Sequence, residues 1–351
     1  MKDNSLNGAA MSASEIVVIT GASAGVGRAT AQAFARRKAN VALIARGSEG
    51  LEGARRDVES LGGRALVLPA DVANADQVEA AAERVQREWG RIDIWVNNAM
   101  ASVFSAVKEM TAAEFRRVTE VTYLGYVHGT LAALKRMLPR NRGTIVQVGS
   151  ALAYRSIPLQ SAYCAAKHAI IGFTDSLRCE LIHDHSDLHL TVVHLPALNT
   201  PQFNWVKSRL PRKPQPVPPI YQPEVAAEAI YFAAHHKRRE MYVSLPTFMA
   251  IWGQKFIPGL LDHYLGRTGY ESQQYDGAAD PNRLDNLWEP VPRDYGAHGD
   301  FDARASYSSY ELLLSRNRWL AALAILGTAA AAFKALRRPE PSIADIMRKA
   351  A

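Results

Sequence analysis

Cysteine is almost missing from this chain. Two in 351 residues, Cys164 and Cys179, build no disulfide framework, and neither belongs to a C-x-x-C zinc or redox pair. His183-Asp184-His185 puts its histidines at i, i+2, off a common helix face, and His235-His236 has no ligand partners nearby, so no metal is expected. No stretch interleaves aromatics with a dense basic run, so the net charge of +7 does not argue for nucleic acid. The start, MKDNSLNGAAMSASE, lacks the apolar core of a signal peptide, and residues 1–14 read as a flexible tail. What remains is 48% hydrophobic and 21% charged, enough for one large core, or one domain with an appendage, in a reducing, cytoplasmic setting.

Apolar, β-branched runs recur along that core: 15–20, 40–45, 64–72, 91–96, 143–150, 188–196 and a shorter one at 240–246. Helical patterns fill the gaps, over 26–38, 48–61, 75–89, a long one from the T-A-A-E capping box at Thr111 to Met137, 160–183 and 223–236. Strand–helix alternation with nearly continuous apolar strands means an α/β fold, a parallel sheet covered on both faces. Its ligands bind at the carboxyl ends of the strands. The first strand runs straight into a glycine turn, where phosphate can rest on backbone N–H groups. The spacing is G-x-x-x-G-x-G (Gly21, Gly25, Gly27), not the commoner G-x-G-x-x-G. Strand two also lacks the usual acid at its end. Ala45 and Arg46 stand there, and an arginine can pair with a 2′-phosphate, which favours NADP(H) over NAD(H).

Ser150 closes the fifth apolar run, and Tyr163 and Lys167 follow one helical turn apart on a common face. An ammonium beside a phenol lowers the phenol pKa and makes Tyr163 a usable proton donor and acceptor. Ser150 can hydrogen-bond the oxygen that gains or loses the proton. An ordinary buried tyrosine beside a surface lysine has the same spacing, so the pair alone decides nothing.

Taken together, T-G-x-x-x-G-x-G at Thr20 to Gly27, Asp71-Val72, Asn97-Asn98-Ala99 and Ser150…Tyr163-x-x-x-Lys167 resemble the short-chain dehydrogenase/reductase family over 15–246. The closer likeness is to a bacterial subgroup with a long C-terminal extension. The resemblance implies a Rossmann-type, doubly wound sheet of about seven strands in one catalytic domain. It implies hydride transfer between a nicotinamide and an alcohol or carbonyl, with Tyr163 as acid/base, Lys167 on the ribose hydroxyls and Ser150 on the substrate. Cofactor contacts are then expected from Thr20, Gly21, Ser23, Gly25, Val26, Gly27, Arg46, Asp71, Val72, Asn98, Ala99, Tyr163, Lys167, Pro196 and Thr200. Thr122 stands where relatives carry the asparagine of V-N-x-x-G that supports a relay water; its hydroxyl can still bind water, and reduced dependence on that relay, not inactivity, is expected. Pro196-Ala197 replaces Pro-Gly. Helices near 115–137 and 160–183 match those that pair relatives, so a homo-oligomer is expected by analogy.

Residues 197–223 hold seven prolines in twenty-seven positions, too many for a helix interior or central strand. They read as a substrate-side lid, with Phe203, Trp205 and Tyr221 lining a pocket for an apolar alcohol or carbonyl. Residues 247–315 form an extension: an apolar stretch to 266 beside the site mouth, then 266–311, which carries nine Asp/Glu against four Lys/Arg and reads as an extended or disordered linker. Residues 316–338 read as an apolar helix and 339–351 as a tail. The fifteen uncharged residues from Trp319 to Phe333 cover about 22 Å against a hydrocarbon core of roughly 30 Å, so attachment to a membrane surface is expected more than a full span. A contrary reading, a non-catalytic membrane-associated NADP(H)-binding protein, stays open on Thr122 and this tail.

Overall fold

Seven aliphatic runs lie side by side as one parallel sheet in the computed structural model, which describes residues 14–310 except 281, and also 312, 316 and 327. The strands are β1 (Ile16–Thr20), β2 (Asn40–Ala45), β3 (Arg64–Pro69), β4 (Ile94–Asn97), β5 (Thr144–Ser150), β6 (His189–Leu195) and β7 (Glu240–Tyr242). Their order is β7–β6–β5–β4–β1–β2–β3. The sheet reverses direction of growth between β1 and β4, and a crevice opens there above the strand ends. Every residue of β1 is buried, as a strand covered on both faces requires.

Helices α1 (Gly25–Ala35), α2 (Ser48–Ser60), α3 (Ala75–Trp89), α4 (Ala112–Thr119), α5 (Gly125–Met137), α6 (Ser161–His183) and α7 (Pro223–His235) cover the faces. The Thr111 hydroxyl and Glu114 carboxylate close the expected capping box at the start of α4. The long helix predicted to Met137 is broken, however, by a π-helical turn at Glu120–Leu124. Such bulges mark functional sites, and this one contains Thr122.

Two further helices, α8 (Leu245–Phe256) and α9 (Pro258–Thr268), begin the C-terminal extension, with Pro258 opening the second. The linker expected over 266–311 corrects to something else: it is irregular but packed. Leu287 is fully buried as part of the main core cluster, and Phe301 enters a satellite cluster with Phe104, Phe203 and Ile220. Gln274–Ala278 pairs with Arg212–Pro214 of the lid, and Ala305–Ser306 with Ile220–Tyr221. A polar segment cannot form its own core, but a few apolar side chains suffice to join one that exists.

Described residues up to Ser309 belong to one compact unit, and Tyr310 begins a second. Apart from Ser14, Arg316 and Gly327, the tail 1–14, the apolar helix 316–338 and the tail 339–351 lie outside the described residues. Among the described residues no helix is long and apolar enough to cross a membrane, and no group of His, Cys, Asp or Glu could hold a metal ion.

Candidate active site

The crevice above β1 and β4 is a cavity of about 460 Å³, and most residues singled out from the sequence line it. Gly21, Ser23, Gly25 and Val26 form one wall, and Arg46, Asp71 and Val72 the next. Asn98, Ala99, Ser150, Tyr163, Lys167, Pro196 and Thr200 continue the surface. Thr20, Gly27 and Thr122 stand just behind it. The Thr20 hydroxyl accepts from the N–H groups of Asn98 (2.9 Å) and Ala99 (3.1 Å), and the Asn98 amide donates to the Thr20 carbonyl (3.0 Å). The two sequence motifs thus clamp each other.

The local geometry suits a phosphate. Gly21 has φ +67°, in the left-handed region that glycine tolerates. A Cβ on Gly27 would stand 2.1 Å from the Gly21 carbonyl, so only glycine lets α1 start so close to the turn. The N-cap, Ala24, offers no side-chain acceptor, and the first turn contains no acid. The N–H groups of Val26 and Gly27 therefore have no helical acceptor and carry the positive end of the helix dipole. This uncapped helix start fits a dinucleotide pyrophosphate.

Tyr163 and Ser150 line the cavity together, and Ser150 acts on Tyr163 to favour the phenolate. Lys167 is buried, and its ammonium donates to the Tyr126 hydroxyl (2.9 Å) and the Val148 carbonyl (2.7 Å). Tyr126 in turn donates to Val148 (2.9 Å). No carboxylate compensates the lysine charge, and burial pushes its pKa down to about 7. Burial also pushes the Tyr163 phenol up, and Ser150 opposes this without overcoming it. The lowering of Tyr163 expected from its lysine is therefore not found, because burial outweighs the opposing contribution of Ser150.

Thr122 is tied to the backbone just after β4. Its hydroxyl donates to the Ala101 carbonyl and accepts from the Ala101 N–H, both at 2.9 Å, which occupies it away from Lys167. Tyr126 is the group that meets the lysine. It was not singled out from the sequence, yet it follows Thr122 by four residues, and the helical spacing alone would have put both on one face. Behind it, the Asn97 amide donates to Thr130 (3.1 Å), Gln147 (3.0 Å) and the Tyr126 carbonyl (3.3 Å), a buried network that fixes α5 against the sheet.

Of the lid aromatics, Phe203 and Trp205 line the cavity, with Pro216, Val217, Pro218 and Pro219. Tyr221 does not; it is buried and faces the β-bridge to Leu198. The extension contributes what the sequence reading missed. Asn286, Pro290, Val291, Arg293 and Tyr295 line the cavity as well, with Pro290 close to Gly47 at the end of β2. Arg46 lines it too, but its guanidinium donates to the carbonyls of Trp288 (2.6 Å) and Asn286. Arg117 joins Asp71 (2.5 Å) to the Leu287 carbonyl (3.0 Å).

The Ser150 carbonyl also meets a second polar cluster. The buried His194 approaches the Ser150 carbonyl (3.3 Å) through Nδ1 and Glu240 (3.3 Å) through Nε2. His194 is the main cause, with the hydroxyls of Tyr154 and Tyr242, of the Glu240 pKa falling to about 2. A depressed carboxyl pKa contributes stability that is full above about 4.5 and lost as pH falls towards 2, here about 3 kcal/mol. Denaturant unfolding of wild type and Glu240→Gln between those limits should show the loss in wild type and a flatter profile in the variant; identical profiles would refute it.

A family model described as short chain dehydrogenase matches residues 15–209. The chain belongs to the short-chain dehydrogenase family. It is 34% identical over 278 residues to an uncharacterized oxidoreductase of Bacillus subtilis, YxnA, covering 78% of each chain. It is 29% identical over 239 residues to a fatty acyl-CoA reductase of Acinetobacter baylyi, covering 68% of this chain and 78% of that one. A solved metagenomic short-chain oxidoreductase in complex with NADP aligns with a TM-score of 0.55 at 25% identity, over 65% of this chain and 96% of the other. This short-chain dehydrogenase is thus an oxidoreductase of small molecules that uses a nicotinamide dinucleotide.

Proposed function

We propose that the protein is an NADP(H)-dependent oxidoreductase that interconverts an apolar alcohol and its carbonyl compound. The observation that carries this is the convergence of Ser150, Tyr163 and Lys167 on the same cavity as an uncapped, glycine-built helix start. When bound, the nicotinamide supplies or accepts the hydride at the carbonyl carbon. Tyr163 gives the proton to the carbonyl oxygen in reduction and takes it in oxidation, and Ser150 holds that oxygen by its hydroxyl. Lys167 steadies the phenolate and returns its proton. Tyr126, hydrogen-bonded to the ammonium, takes the relay position that the Thr122 hydroxyl does not reach.

An apolar substrate is favoured by its surroundings. Phe104, Leu152, Ile157, Leu198 and Phe203 line the same cavity as Tyr163, together with lid prolines. The similarity to the Acinetobacter fatty acyl-CoA reductase points the same way. The preference for NADP(H) is supported by the strand-two end, which carries Arg46 and no acid. A charge-assisted contact is worth roughly 1.5–3 kcal/mol, so kcat/KM should favour NADPH over NADH at least about tenfold. Arg46→Asp should reverse the order in a steady-state comparison. Wild-type preference for NADH would end this reading of the cofactor.

A further inference from the structure

Residues 286–296 cross the adenosine end of the cleft like a strap, held at four places. Arg46 takes the carbonyls of 286 and 288, and Arg117 takes that of 287. Asp294 pairs with the buried Arg28 (3.0 Å) and faces Arg56 (3.6 Å). The Gly296 carbonyl accepts the Gly25 N–H (3.1 Å) at the start of α1. Between these anchors Pro290 passes over Gly47, where a Cβ would stand 3.3 Å from it. The strap therefore spans from the end of β2 to the phosphate turn, the corner where a Rossmann fold places the adenosine ribose.

Three cations line the cavity. Lys167 belongs to the Tyr163 end, and both terminal nitrogens of Arg46 already donate to strap carbonyls, which leaves it only part of its five N–H groups. The third is Arg293, exposed on the strap, with its guanidinium 5.2 Å from the Tyr295 ring and in no ion pair among the described residues. The neighbouring Asp294 does not cancel it, because Arg28 and Arg56 already face that carboxylate. A guanidinium on this corner matches a phosphate by its planar fork of donors.

We infer that Arg293 binds the 2′-phosphate of the cofactor's adenosine, with Arg46 acting as the latch that holds the strap in position. The C-terminal extension, not the strand-two end alone, then sets the cofactor preference. This rests on the NADP(H) reading above, and the test separates the two. Titrate the full-length protein by calorimetry with adenosine 2′,5′-bisphosphate and with adenosine 5′-monophosphate, which share everything but the phosphate in question. Wild type should bind the bisphosphate at least about tenfold tighter. Arg293→Ala should lose at least about tenfold in bisphosphate affinity with far less change for the monophosphate, and Arg293→Lys should recover part of the loss. The same variants should shift the ratio of kcat/KM for NADPH over NADH in parallel. If Arg293→Ala keeps the wild-type discrimination, the strap inference is overturned and the cofactor reading stands. If wild type itself does not discriminate, both fall.

Discussion

Replacing Tyr163 by phenylalanine is expected to lower turnover by about 10²–10⁴-fold while dinucleotide binding persists. The ring is kept, and it packs on the main core, so fold and cavity shape should survive. What disappears is one ionisable hydroxyl, on a side chain that shares its cavity with Ser150 and Lys167. Burial holds that phenol above its ordinary pKa in the free enzyme, so at neutral pH it stands protonated. It is then in the state needed to donate to a carbonyl oxygen. Single-turnover consumption of NADPH with a panel of apolar ketones and aldehydes gives the rate, and thermal shift with NADPH gives the binding. Near-wild-type turnover in Tyr163→Phe would remove Tyr163 from the mechanism. Loss of NADPH binding with loss of rate would mean that the hydroxyl serves the cofactor rather than the proton.

Much of this site was legible from residue patterns because its parts sit at strand ends, and strand ends are what apolar periodicity locates best. Thr20, Asn98 and Ser150 each close a run of β-branched residues, and the fold then brings them together. Three features were not legible, each for a physical reason. Tyr126 looks like any helix aromatic, and its contact with Lys167, forty-one residues further on, is a tertiary pairing that helical spacing does not announce. The packed strap looks like a linker because composition measures how much core a segment could build alone, whereas Leu287 uses a core made by distant strands and helices. The Arg46 contacts follow from that same packing, since its partners are main-chain carbonyls that any sequence supplies. Pairings between side chains and remote backbone leave no pattern to read.

Lys167 should be as costly to lose as Tyr163, and its loss should leave a second mark on stability. The side chain is buried with two neutral hydrogen-bond acceptors and no counter-charge, and burial takes its pKa from 10.5 to about 7. The folded chain then binds fewer protons than the unfolded chain between those two values, so stability rises with pH across that window. Below about 7 both states hold the proton, and the full cost of burying the charge, a few kcal/mol, weighs on the fold. Lys167→Met fills similar space without a charge. It leaves the Tyr126 hydroxyl and the Val148 carbonyl short of one donor, but Tyr126 still donates to Val148, so that loss is about 1 kcal/mol. The charge penalty is the larger quantity. The variant should therefore melt at a higher temperature than wild type at pH 7, and its stability should change less between pH 7 and 10. Turnover should fall by at least about 10²-fold, because the same ammonium holds the phenolate and returns its proton. Thermal unfolding at several pH values, alongside steady-state rates, tests both halves. A variant less stable than wild type with the same pH slope would show that the lysine is not a dehydrated cation. A stabilised but active variant would leave Lys167 a buried charge with no part in proton transfer.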